Sequence, residues 1–578
     1  MNIDNFKEIK IPNQINNLST HELNELASSI RNYLIYQISE TGGHIGANLG
    51  TIELTIALHF VFDSPKEPIL FDTGHIGYTH KLLTGRKDLF DSLNTYGGMN
   101  RFLTPQESSH DIIEASHAGT AISIGLGIAL ARKLDNNDDH VIAVVGDAAM
   151  AEGSSWEALN HAIVEKTKLI TIINDNNFAI SPGFGGMHNM FSSGSDKTKL
   201  FFESLGMNYI GEIDGHNIED IISALNDAKN SDLPPIIHLK TVKGKGWLPA
   251  DNHPFRMHFS FPYDPIDGSL KDKTPPSQTY PDVAGACVNN LMDQNKKIVC
   301  ITPSTLYATG MTNVFEKFPD RCFDPGMEEQ HALSMTVGFA LQGYLPIIAY
   351  QSTFLQRAFD QLLHDVCFSN LPTIILSMRS GFSGYDNPTH HGLYDISYMQ
   401  SLPNLNVFYP KDGAELDAMI NKLAINTRGP NLIMMPYGPL DHFENSKDID
   451  NVLQPELSID GENILIITVG NKYGVAKEVA EHLGAGLVNL RSLLPLPKDK
   501  LLELSKSYSK VVTIEEAVLD GGIGSSISAL FSDNLQSKEV LRIGLPREFI
   551  EPGSNDELSS IYGLDTPGVL KRIKSFWK

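Results

Sequence analysis

The stretch HVIAVVGDAAMAEGSSWEALNHAIVEKTKLITIINDNN, residues 140–177, decides the fold class. HVIAVV (140–145) is a continuous apolar run that reads as a buried strand. SSWEALNHAIVEK (154–166) has helical periodicity, and LITIIN (169–174) is the next strand. Strands without polar alternation are covered on both faces, which implies parallel strands joined by helical crossovers. The pattern recurs downstream in KIVCIT (297–302), PIIAYQ (346–351) and TIILSM (373–378), with helices between. It returns in NILIITVG (463–470), a helix through Val475–Leu483, GLVNLR and VVTIEE. Near the start, Ser19 and Glu22 form a capping box ahead of a helix with apolar Leu23, Ile30, Leu34 and Ile38. Two polar stretches, 264–282 and 438–460, read as linkers. The expected architecture is three doubly wound α/β domains in series, 1–278, 279–450 and 451–578.

Composition narrows the function classes. The 578 residues carry a net charge of −24. That excess of acid argues against nucleic acid and anionic membrane surfaces as partners, since both call for clustered Lys and Arg. Hydrophobic residues make up 41% of the chain, enough for packed cores. Cys287, Cys300, Cys322 and Cys367 show no metal-site spacing and read as reduced buried thiols of a cytoplasmic protein. The opening MNIDNFKEIK has no signal-peptide character, and no apolar run is long enough to span a bilayer.

The glycine-rich segments do not make a dinucleotide site. Gly125 and Gly127 lie inside a helical run, with Leu130 where the third glycine belongs, and Gly521, Gly522 and Gly524 lack an acidic partner. Gly146-Asp147-Ala148 carries more, because it falls where a buried strand ends. Asn176 ends the following strand, and the carboxyl ends of adjacent parallel strands converge. Asp147, the Asn176 amide and the Phe178 carbonyl are hard oxygen donors suited to Mg²⁺ or Ca²⁺ completed by phosphate and water. Chance alone also produces such spacing. His44, His75, His117 and His258 all sit in glycine-rich or loop contexts. One such histidine is usually structural, whereas four suggest a pocket that handles protons or anions. Glu328-Glu329-Gln330-His331 precedes an apolar helical run, where acids ordinarily complement the helix dipole. A half-buried glutamate there can instead hydrogen-bond a ligand nitrogen.

Taken together, these segments resemble the 1-deoxy-D-xylulose-5-phosphate synthases, a branch of the transketolase-like thiamine diphosphate enzymes. The resemblance runs through GGHIGANLGTIELTIALH, FDTGHIGYTHKLLTGR, the GD…NDN pair, EEQHA, STFLQRAFDQLLHDV, RSGFSGYDNPTHHGLYD and IGLPREFIEPGS. It implies a diphosphate-binding domain, a pyrimidine-binding domain and a transketolase C-terminal domain, and a homodimer. It further implies Mg²⁺ on Asp147, Asn176 and Phe178. Thiamine diphosphate would lie among His75, Ser116, His117, Ala118, Asp147, Ala148, Ala149, Asn176, Trp247 and Phe354. Glu329 matches the residue that hydrogen-bonds the aminopyrimidine. His44, His258 and His390 match catalytic histidines on the substrate side. Arg357, Arg379, Asp386, Gln351 and Tyr437 match the substrate-binding positions. The implied reaction joins pyruvate, with loss of CO₂, to glyceraldehyde 3-phosphate.

The departures from the family pattern raise alternatives. Ala148 stands where a glycine is usual, a tolerable change if φ stays negative. The loop after Asn176 is shorter. Met434 and Tyr437 occupy the two arginine positions of the family's motif in LIMMPYG, and Gln351 replaces a tyrosine. An arginine fork suits a phosphate dianion better than a neutral hydroxyl does. A different acceptor, unphosphorylated or larger, is therefore the second reading, and a cofactor-binding paralogue without catalysis the third.

Overall fold

The computed structural model describes residues 9–11, 14–274, 276–443 and 451–578. The chain forms two compact units, Met1–Thr274 with Gly326–Glu328, and Pro275–Pro325 with Glu329–Lys578.

The first unit is built on one parallel sheet of β1 (Ile69–Phe71), β2 (Val141–Gly146), β3 (Leu169–Asp175), β4 (Asn208–Asp214) and β5 (Pro235–Lys240). Their order is β1-β2-β3-β5-β4. Side chains alternate between two cores. Val141, Ala143 and Val145 pack with Leu126 and Leu159 on one face. Ile142 and Val144 pack with Leu54, Leu58 and Leu225 on the other. Both faces are dry, which is why β2 and β3 carry no polar alternation. The Ser19 capping box forms as expected and starts the helix Thr20–Thr41. Gly125 and Gly127 lie within the helix Ala121–Leu134, where Gly125 lets the helix close on Leu169 and Val141.

The second unit contains, in chain order, β6 (Ile298–Ile301), β7 (Cys322–Phe323), β8 (Leu345–Gln351), β9 (Thr373–Ser380), β10 (Asn406–Phe408) and β11 (Pro430–Pro436). There follow β12 (Glu456–Ile459), β13 (Ile464–Thr468), β14 (Gly486–Asn489), β15 (Ser492–Leu494), β16 (Lys510–Val518) and β17 (Glu539–Leu545). One sheet runs β15-β10-β11-β9-β8-β6-β7, and the other β12-β14-β13-β16-β17. Both are parallel except at an edge, where β15 pairs antiparallel with β10 and β12 with β14. Each fits the expected α/β class.

The two sheets of this unit are interlocked. β15 follows the second proposed linker in sequence yet completes the sheet of the middle segment. One apolar core draws on both, from Ile348 and Leu432 to Ile467 and Leu490. A buried charge lattice joins them again. Arg491 reaches both Glu415 (2.7 Å) and Glu456 (3.0 Å), and Lys411 lies 3.2 Å from Glu456. Removing one member of such a lattice leaves an uncompensated buried charge, typically a loss of about 3–5 kcal/mol. Residues 444–450 of the second linker lie outside the described residues. Among the described residues no helix is long and apolar enough to cross a membrane.

Candidate active site

In the first unit the carboxyl ends of β2 and β3 carry Asp147 and the segment 176–183. The Asp147 carboxyl is buried, and its Oδ1 has no hydrogen-bond partner among the described residues. Burial, reinforced by the neighbouring Asp175, pushes its pKa up to about 7. A bare buried carboxylate oxygen is costly unless a cation or a proton meets it. The Asn176 Oδ1 accepts from the Phe178 N–H (3.0 Å), and Ala179 donates to the Ser181 carbonyl (2.9 Å), so the segment is a tightly bonded turn. Ala148 has φ −70°, so the usual glycine is not needed.

Sequence reading missed Lys243. Its side chain is buried, its ammonium donates to the Ala179 carbonyl (2.6 Å), and it lies 5.6 Å from the Phe178 ring centre. Desolvation drives its pKa down to about 7 against the pull of Asp147. The clue in the sequence was KGKG, two glycines at positive φ (83° and 80°) holding a loop tightly beneath a lysine.

Three of the predicted histidines converge. Ring centres of His44, His75 and His258 lie 5.1, 5.4 and 5.0 Å apart pairwise, and Phe102 stands 5.6 Å from His44. Asn48, fully buried, fixes two of them: its amide donates to the carbonyls of His44 and His75, each at 2.7 Å. His258 is reached through two left-handed residues, Arg256 (φ 50°) and Met257 (φ 47°). Gly46 makes that path possible, since a Cβ there would meet the Arg256 oxygen at 1.8 Å. Burial, with Lys243 and the other two histidines, holds the His258 imidazole neutral, its pKa well below the ordinary value.

The Ser116–His117–Ala118 segment enters the helix Ala121–Leu134, and Asp72 at the end of β1 holds this junction. Its carboxylate accepts from Gly119 N–H (2.6 Å) and Ala121 N–H (3.0 Å). Ser116, Ala118 and Ala149 are buried, while His117 is half-buried. Trp247 sits in the core shared with Ile45, Met257 and Tyr263, its indole N–H donating to the Pro265 carbonyl (3.0 Å). It therefore packs beneath the chain segments that carry His44 and His258.

In the second unit Glu329 opens the helix Glu329–Leu341. It is buried, more deeply than the half-buried position anticipated, and its Oε2 lies 3.5 Å from Arg357 Nη1. The Tyr350 hydroxyl donates to its carbonyl (2.8 Å). Phe354 and His390 meet edge to face at 5.7 Å, and Asn387 caps the turn Pro388–His390 that carries the histidine. Gln351 is buried at the end of β8. Arg379, near the end of β9, pairs with Asp386 at 2.7 Å. The two residues at the family's arginine positions part company: Met434 is buried in the core, whereas Tyr437 is 36% exposed beyond the end of β11.

The 1-deoxy-D-xylulose-5-phosphate synthase family model matches residues 6–200 and 192–241. The transketolase pyrimidine-binding model matches 277–440, and the transketolase C-terminal model 455–569. The synthase of Clostridium acetobutylicum is 38% identical, with 99% of both chains covered. That of Halothermothrix orenii is 37% identical over 98% of this chain and 96% of its own. The chain belongs to the 1-deoxy-D-xylulose-5-phosphate synthase family. The Halothermothrix alignment runs to 614 positions, longer than this chain of 578 residues. The N-terminal model matches in two pieces that meet at 192–200, within the segment after Asn176 read as shortened.

Proposed function

We propose that the chain condenses pyruvate with glyceraldehyde 3-phosphate, using thiamine diphosphate and Mg²⁺, to give 1-deoxy-D-xylulose 5-phosphate and CO₂. Full-length likeness to synthases of that name supports this acceptor over the alternatives weighed from sequence. The observation that carries the reading is the buried Asp147 Oδ1, which has no hydrogen-bond partner among the described residues, at the carboxyl end of β2 beside the Asn176 turn. Asp147, the Asn176 amide and the Phe178 carbonyl fit a hard divalent cation. When bound, the cofactor supplies the electron sink for decarboxylating a 2-oxo acid.

The protein's own groups do the rest. Glu329, its carboxyl beside Arg357, would hydrogen-bond the aminopyrimidine of the bound cofactor. The buried imidazole of His258, kept neutral by desolvation, offers its ring nitrogens as a hydrogen-bond donor and acceptor. His44 and His75, fixed through their carbonyls by Asn48, present further ring nitrogens from fixed backbone. His390, braced by Phe354, serves the substrate side with Arg357, Arg379, Asp386, Gln351 and Tyr437. In the first unit Phe102 packs against His44, and in the second Phe354 packs against His390.

The reading includes three domains at 1–278, 279–450 and 451–578 and a cytoplasmic homodimer. Four buried, unpaired cysteines support a reducing compartment. The test is pyruvate-dependent CO₂ release with glyceraldehyde 3-phosphate, cofactor and Mg²⁺, with the product identified by mass. Absence of that product overturns the reading.

A further inference from the structure

The carboxyl ends of three adjacent strands, β8, β9 and β11, bring Gln351, Arg379 and Tyr437 to one edge of a parallel sheet. Ligands bind at such edges. Arg379 is held there in a left-handed conformation, φ 62°, which a non-glycine residue adopts only when its surroundings impose it. Among the described residues its guanidinium makes one hydrogen bond, from Nη1 to Asp386. The side chain is 25% exposed. Its carbon lies 4.8 Å from the centre of the Tyr437 ring.

The ring is placed as firmly as the guanidinium. Gly384, at φ 73°, passes so close that a Cβ would stand 3.0 Å from Tyr437 Cε1. The Tyr437 carbonyl accepts from the Asn555 amide (2.9 Å), and Gly553 N–H donates to the Gly384 carbonyl (3.3 Å). Tyr385, next to Gly384, donates its hydroxyl to Glu557 (2.7 Å). The segment 553–557 thus clamps the loop and strand end that enclose the ring.

We infer that Tyr437 is a specificity-determining residue. Its ring fixes the plane of Arg379, so that one arginine, backed by an aromatic face, seats the phosphate of the acceptor aldehyde. The inference rests on the proposed reaction. Asp386 anchors one corner of the guanidinium and the ring supports its face, leaving the remaining N–H groups to grip two phosphate oxygens. The ring does the positioning; the hydroxyl does not enter.

The readout is the ratio of kcat/KM for glyceraldehyde 3-phosphate over that for glyceraldehyde, each with pyruvate. Tyr437→Ala is expected to lower this ratio on the order of tenfold. Tyr437→Phe is expected to hold it within about twofold of the starting protein. Arg379→Met is expected to abolish the preference. An unchanged ratio in Tyr437→Ala, or a preserved one in Arg379→Met, overturns the inference. So does a Tyr437→Phe loss equal to that of the alanine, which would put the hydroxyl on the substrate. If the unaltered protein uses neither aldehyde, the reaction itself falls, and the inference with it.

Discussion

The Lys243 ammonium donates to the Ala179 carbonyl across 2.6 Å, from a fully packed position beside the Asp147 carboxyl. That bond, to the carbonyl one residue past Phe178, fixes the turn that Asn176 begins. Lys243→Met removes a charge-assisted bond worth about 1.5–3 kcal/mol. The expected result is a ten- to hundredfold rise, on the order of what that energy implies, in the Mg²⁺ concentration needed for half-maximal cofactor uptake. Isothermal calorimetry checks it, and an unchanged requirement would detach Lys243 from the turn.

Asp147→Asn tests the ligand set directly. The amide nearly matches the carboxylate in shape, so packing is kept while the cation loses its charged oxygen. Mg²⁺-dependent thermal stabilisation should vanish, and cofactor binding should lose its metal dependence. A variant that responds to Mg²⁺ as the unaltered chain does would contradict the assignment.

Glu329→Gln should abolish pyruvate-dependent CO₂ release. The glutamine keeps the volume of a buried side chain that an alanine would vacate, with Arg357 left facing a void. Glu329→Ala therefore confounds chemistry with stability, whereas Glu329→Gln isolates the acid. Retained turnover in the glutamine variant, with a melting temperature close to the original, would remove Glu329 from the mechanism.

Much of this was legible in the sequence, and the parts that were not share a physical reason. β2 and β3 showed themselves because both faces are buried; β4 did not, since NYIGEID is half exposed at a sheet edge and reads as mixed. Asp147 and Asn176 could be set at adjacent strand ends because parallel topology puts such ends together, whereas Arg379 came only from the family resemblance. Asn48 and Asp72 could not be placed, because each works by meeting backbone groups distant in sequence, which no local pattern records, and Lys243 had only the glycines of KGKG to mark it. The serial boundary proposed at 450/451 also gave no sign of one pairing that crosses it. β15 is a three-residue strand, too short for periodicity to show that it joins the sheet of the preceding segment.

The last prediction concerns pH. Asp395 is buried, accepts from the Ser352 (2.6 Å) and Ser380 (3.2 Å) hydroxyls, and has its pKa pushed up to about 7 by desolvation. In the unfolded chain the carboxyl titrates near 4. Between those values the folded state holds the proton more tightly, so stability falls as pH rises from about 4 to 7 and levels off above. The cost at pH 8 is on the order of a few kcal/mol. Asp147 and Glu515, both pushed up to about 7, add in the same direction. His391 opposes them from below: burial lowers it to about 4, so its share of stability is lost as pH falls from about 6.5. Asp395→Asn keeps an oxygen for the serines and removes the titration. Urea unfolding at pH 6 and pH 8 should show a smaller drop for this variant than for the unaltered protein. Equal drops would mean that Asp395 is ionised in the folded state.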